Sequence, residues 1–173
     1  MALAGRVPLT GRPLEKAALA QIGECGLRPG EARAVRWEEY DRKELTLRVS
    51  RSLWHTTEGP TKTARSNGLV PVTPLLAAVL ADVWKEQGNP ISGRVLKREG
   101  GKPMCLDSAS KRVIAPILSR CAECQESELA EHEGHTFKRD AKTSVAWSGF
   151  YGLRRMHGTR VLENSDEDTA AAS

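Results

Sequence analysis

Aromatic side chains are scarce in this sequence: four Trp, two Tyr and two Phe among 173 residues. Any chemistry that needs a phenol therefore has two candidates, Tyr40 and Tyr151. Long hydrophobic runs are missing as well. The densest apolar stretch, Leu75 to Leu80, falls far short of the roughly 20 residues a membrane span requires, so no membrane partner is expected. The opening MALAGRVPLTGR holds no apolar h-region, which excludes a secretory signal there and leaves a cytoplasmic address by default. No internal repeat is present. Four cysteines in such a chain argue for metal ligation or free thiols over disulfides.

What is present is a globular composition, with 39% hydrophobic and 28% charged residues. A mass of 18.9 kDa is enough for one compact domain and too little for two with separate cores. The charge is unevenly spread. The last eleven residues carry Glu163, Asp166, Glu167 and Asp168 and no Lys or Arg, so residues 1–162 hold a net +8 against +4 for the whole chain. A basic body makes an anionic partner such as nucleic acid a reasonable expectation.

Periodicity outlines the elements. Pro13, Leu14, Ala17, Ala18, Gln21 and Ile22 predict a helix with Pro in its first turn, stopped by Gly23 and Gly26. Arg28-Pro29-Gly30-Glu31 opens a short second helix reaching Trp37. Leu45, Leu47 and Val49 alternate with polar residues as a half-buried strand does, and Leu69 to Val72 reads as its return. Between them, Thr56 to Gly68 reads as a polar turn region with Gly59, Pro60, Ser66, Asn67 and Gly68. Thr73-Pro74 starts the clearest helix, striped by Leu75, Leu76, Val79, Leu80, Val83 and Trp84. Asp107 is a plausible N-cap for a run carrying Val113, Ile114, Ile117 and Leu118, with Pro116 a source of kinking. The last helix is predicted over about 150–162, followed by an acidic frayed tail, 164–173. The fold class is α+β, mainly helical, with a small antiparallel sheet between helices.

Three basic residues stand at local specials: Arg28 at a helix start, Lys62 within Thr61-Lys62-Thr63, and Arg154 on the first turn of the last helix. Singly, each is an ordinary solvated charge. As a set, with GLRPGE running into Val35-Arg36-Trp37-Glu38 and a strand–TKT–turn–VPV segment, they resemble the catalytic domain of the tyrosine recombinase (phage integrase) family, over residues 10–163. The resemblance implies double-stranded DNA as partner, with other recombinase protomers possible, and DNA integration and recombination as the process. It makes Arg28 and Arg154 the substrate-binding arginines and Lys62 the hairpin lysine, and puts Tyr151 where the family usually has His. The catalytic set it implies is Arg28, Lys62, Tyr151 and Arg154, with no cofactor needed for catalysis. Guanidinium groups fork onto two non-bridging oxygens and stay charged while negative charge builds in the pentacoordinate state. A lysine can donate a proton to the departing 5′ oxygen. Glu31, three residues after Arg28, is placed to orient that arginine.

The sequence departs from the family pattern at its end. It stops before the segment where the family places a later His or Trp and its nucleophilic tyrosine, which implies a truncated member unable to cut DNA alone. Tyr151 suits a hydrogen-bonding partner beside Arg154 rather than the nucleophile, and Tyr40 suits packing. A second signature lies at 121–135, where Cys121-x2-Cys124 precedes His132-x2-His135. Two thiolates and two imidazoles make a closed structural zinc site, a compact knuckle inserted before the second arginine. The bland reading is a solvated polar loop, given Glu123, Glu126, Glu128, Glu131 and Glu133. Some integrase-like proteins carry a similar insertion at this place. An alternative function is thus a non-catalytic zinc-knuckle module that binds nucleic acid. Trp37 and Trp84 are expected in the core, and Trp54 either there or stacked on a sugar or base. His157 is expected to be incidental.

Overall fold

The computed structural model describes residues 9, 11–63 and 67–171; of the side chains at 164–171 nothing is described. Ser66 and the final two residues of the expected tail thus lie outside the described residues.

The helix α1 (Pro13–Gly23) is the axis of the fold. Its small residues Ala17, Ala18 and Ala20 are fully buried alongside Leu19 and Ile22, so neighbours close on it from several sides rather than on one apolar stripe. It packs on α2 (Pro29–Ala34), on α3 (Pro74–Glu86) and on the final helix α6 (Gly149–Ala171). Burial extends to Glu15, whose carboxylate accepts a 2.6 Å bond from Arg98 Nη2. The amphipathic α3 forms as its pattern dictates: Thr73 Oγ1 caps the Leu76 N–H, and Leu76, Val79, Leu80 and Val83 are buried.

The strands β1 (Tyr40–Asp41), β2 (Thr46–Val49) and β5 (Gly68–Pro71) form an antiparallel sheet in the order β1-β2-β5, with Leu47 opposite Val70. The expected strand and its return are both present. The intervening stretch differs from the expected turn region. β3 (Arg51–Trp54) and β4 (Thr57–Pro60) make a separate two-stranded ribbon, with Leu53 opposite Glu58 and Trp54 opposite Thr57. Gly59 and Pro60 are poor strand formers. Tertiary ties hold the ribbon instead: Leu53 is buried, and Glu58 accepts hydrogen bonds from Arg36, Arg51 and Arg94. Burial alone would raise the Glu58 carboxyl, yet those three guanidinium groups hold it below the usual range.

The run after the glycine-rich loop starts two residues earlier than expected, with Cys105 rather than Asp107 at its N-cap. It continues as α4 (Leu106–Ala109), a π-helical turn (Ser110–Ile114) and α5 (Ala115–Leu118). The Ala115 N–H donates to the Ser110 carbonyl, five residues back. The wider turn immediately precedes Pro116, whose ring would crowd the carbonyl four residues before it in a regular helix. Finally, α6 starts at Gly149, which puts Arg154 on its second turn, and runs nine residues past the expected Leu162, to Ala171.

His157 does not line the pocket beside Arg28 and Arg154 but packs against the end of α1. Its Nδ1 lies 3.2 Å from the Gly23 carbonyl at the end of α1, and its ring covers Gly26, whose φ is +64°. A Cβ at Gly26 would sit 2.5 Å from His157 Cδ2. Gly26→Ala is therefore expected to destabilise the domain by about 2 kcal/mol, from left-handed strain and the displaced imidazole. Urea denaturation checks this. In a His157→Ala background the same change should cost less, because the two share one contact.

Candidate functional site

The α2 N-terminus is built around one carboxylate. Arg28 is the N-cap, Pro29 fixes the first turn, and Glu31 at the third position folds back. Glu31 Oε2 accepts the Arg28 backbone N–H at 2.7 Å, and Oε1 accepts Arg28 Nη1 at 3.0 Å. From α6, Arg154 Nη1 approaches the same carboxylate, 3.7 Å from Oε2. Glu31 is only 4% exposed, whereas about a third of each arginine side chain reaches solvent. Helices far apart in sequence thus bring two guanidinium groups onto one buried anion.

Two cations on one carboxylate leave a local excess of positive charge. Arg154 is held below the usual guanidinium range, first by its loss of solvent and then by Arg28. Its Nη1 is buried and makes no hydrogen bond among the described residues. The pair opens on a pocket of about 210 Å³, walled by Val49, Gly68, Leu69 and Val70 and floored by Cys25 and Leu27. Such a concavity, with two guanidinium groups at its edge, suits a tetrahedral oxyanion.

The other expected site residues stand differently. Tyr151 lies on α6 one turn before Arg154 and is 62% exposed. Lys62 follows the ribbon, is exposed, and does not line the pocket; Thr61 Oγ1 donates to the Thr63 carbonyl across it. Tyr40 lies in β1, partly buried against the core. Sequence reasoning missed Cys25 as a pocket residue. Burial pushes its thiol up to about 11, and Sγ–H donates to the Pro71 carbonyl, so it is a neutral wall and not a nucleophile. Nothing in its sequence context marks it.

The Cys/His cluster converges as its spacing predicts. The donor atoms of Cys121, Cys124, His132 and His135 all lie within 4.8 Å of one another. Cys121 Sγ is 3.4 Å from His135 Nε2, and Cys124 Sγ is 3.4 Å from His132 Nδ1. Tetrahedral zinc with ordinary bond lengths separates S and N ligands by about 3.6 Å. Backbone N–H groups of Cys124 and Lys138 draw the Cys121 thiol down to about 6, toward the thiolate a metal needs. His135 Nδ1 lies 3.0 Å from the Glu133 carbonyl, which leaves Nε2 facing the cluster as a ligand should. His132 presents Nδ1 to Cys124 Sγ, so that atom is the one placed to ligate, while its Nε2 is buried with no hydrogen-bond partner among the described residues. The four residues fit a metal ion.

Comparison with known proteins gives the fold a place. No family model matches the chain, and no curated protein matches its sequence. Solved structures do. The Tn1549 transposon integrase in complex with a circular intermediate DNA aligns over 93% of this chain at 12% identity and a TM-score of 0.65. The same integrase with transposon right end DNA aligns over 90% at 12% identity and a TM-score of 0.62. This chain spans about half of each, 50% and 48% respectively. At such identity the likeness is one of fold: this chain has the α+β architecture of that integrase.

Proposed function

We propose that this chain is the DNA-binding catalytic-domain part of a site-specific tyrosine recombinase, in which Arg28 and Arg154 grip one backbone phosphate. The observation that carries this reading is the convergence of the two guanidinium groups on buried Glu31. The net +8 of residues 1–162 and the fold shared with a DNA-bound integrase support it. Glu31 positions Arg28 and limits the repulsion between the two cations. The forks then face non-bridging oxygens, where charge grows as phosphorus becomes pentacoordinate. Lys62, on the segment after the ribbon, would close over the bound strand and donate its proton to the departing 5′ oxygen. Tyr151 takes the place of His as a hydrogen-bonding partner of the phosphate.

The same reading assigns no nucleophile within this chain. An in-line attack needs a hydroxyl opposite the leaving oxygen. Tyr151 shares a helix face with Arg154, and Tyr40 is held in the sheet. Strand cleavage by this chain alone is therefore not expected. Zinc is the metal proposed for Cys121, Cys124, His132 and His135, in a structural role, since all four tetrahedral positions are filled by protein. That cluster also favours a second reading, a non-catalytic zinc-knuckle module that binds nucleic acid.

Salt titration of duplex binding tests the arginine pair. Arg28→Ala and Arg154→Ala should each lower affinity and reduce the log–log salt slope by about 1. The double variant should lose less than the sum, because both act on one phosphate. On a nicked suicide duplex the wild type should form no covalent adduct; an adduct would point to Tyr151 or Tyr40 and overturn the assignment. Under the knuckle reading, Cys124→Ala would abolish binding and Arg28→Ala would cost only a general electrostatic increment.

Elemental analysis of the purified chain should find about one zinc per molecule. Cys124→Ala should remove it and speed proteolysis within 119–148, with the melting of the helical core little changed.

A further inference from the structure

The ribbon β3–β4 ends in an aromatic that the core does not use. Trp54 is 75% exposed and stands with its cross-strand partner Thr57 on the face opposite Leu53 and Glu58. The tip that carries it is fixed. Arg33, on α2, donates from Nη1 to the Leu53 carbonyl at 3.3 Å, from Nη2 to the His55 carbonyl at 2.8 Å and from Nε to the Met104 carbonyl at 3.0 Å. His55 follows in the left-handed region, φ +50°, at the turn position where glycine is usual. Gly30 lets the first turn of α2 press against β3, since a Cβ there would meet Ser52 Oγ at 2.5 Å. An indole carried on a backbone fixed in this way forgoes burial yet costs little backbone freedom on binding, which is the profile of a contact anchor.

Charge selects the partner. Between Arg51 and Thr63 the only carboxylate is Glu58, and three arginines already occupy it. His55 and Lys62 flank the indole in sequence and are exposed, so no free acid faces an incoming polyanion along the ribbon. A two-stranded ribbon also has the width a DNA major groove admits. We propose that the β3–β4 ribbon enters a groove of duplex DNA and that Trp54 is its principal apolar contact, a binding site separate from the arginine pocket. The proposal rests on the DNA-binding reading above and adds a second point of attachment, on a ribbon braced by the same α2 whose N-cap is Arg28.

The test is duplex affinity across a salt series, with a labelled random-sequence duplex and the full chain. Trp54→Ala should weaken binding by about 10- to 100-fold, the order expected for burying a large apolar side chain. Its salt slope and melting temperature should match wild type, because the indole neutralises no phosphate and supports no core. Trp54→Phe should recover most of the affinity. Wild-type affinity in Trp54→Ala overturns the proposal, as does a loss that comes with a lowered melting temperature. Unchanged DNA binding with weakened self-association in sedimentation would also overturn it and assign the indole to a protein contact. A wild type that binds no duplex at low salt overturns the DNA reading as a whole. Binding that depends on Trp54 and ignores the Arg28/Arg154 double variant overturns the arginine assignment alone.

Discussion

The buried carboxylate of Glu31 is the constraint on which the candidate site depends. A charge removed from water is costly unless it is paired and hydrogen-bonded. Here one carboxylate caps a helix through the Arg28 N–H, receives the Arg28 guanidinium and faces Arg154 from α6. Each partner offsets part of the desolvation of the others. The consequence is geometric: α2 and α6 have to meet at Glu31, and Leu153, packed on Gly23 of α1, sets the height at which α6 does so. A surface charge pair would leave the guanidinium groups mobile. Anchoring both on a buried anion fixes them before any ligand arrives, which is what preorganised electrostatics requires.

Two other segments are held by polar groups in place of a core. The ribbon β3–β4 has Leu53 as its buried apolar side chain, and Glu58 and Arg33 tie the rest to the domain. The connection between α5 and α6 is longer, with Cys121 as its most buried side chain in the knuckle. Its base is closed by backbone bonds from Ala122 to Lys138 and from Asp140 to Arg120. The four sulfur and nitrogen donors sit above that base. A long excursion without regular structure is rare in a compact domain, and a metal is one of the few ways to give it shape.

These physical differences explain what the sequence disclosed. The helix α3 and the strand β2 were legible because an apolar period fixes the face of each. The Arg28–Glu31 spacing was legible because a helix start imposes it. The Cys/His spacing foretold the convergence of its four donors. The ribbon was not legible: Gly59 and Pro60 argue against strand, and its supports, Arg36 and Arg94, are distant in sequence. The length of α6 was hidden for another reason. The apolar period lapses after Leu162, but such a lapse speaks to burial and leaves helix formation open. Exposure of Trp54 was equally beyond reach, since a tryptophan after a strand residue suits a core as well as a surface.

The π turn at Ser110–Ile114 carries a consequence for how the chain enters α6. A turn closed over five residues holds one residue more than an α turn, and one residue is about 100° of rotation. Leu106 and Ala109 on one side and Ile117 and Leu118 on the other are all buried, so both halves of this run face the core only with that residue in place. The extra residue acts as a phase shifter between two apolar faces. It also sets the azimuth of Ser110, whose Oγ accepts a 2.7 Å bond from Trp147 Nε1, and Trp147 in turn stands edge-on to Phe150 in the first turn of α6. The angular phase of a helix that carries no functional group is thereby passed on to the helix that carries Arg154.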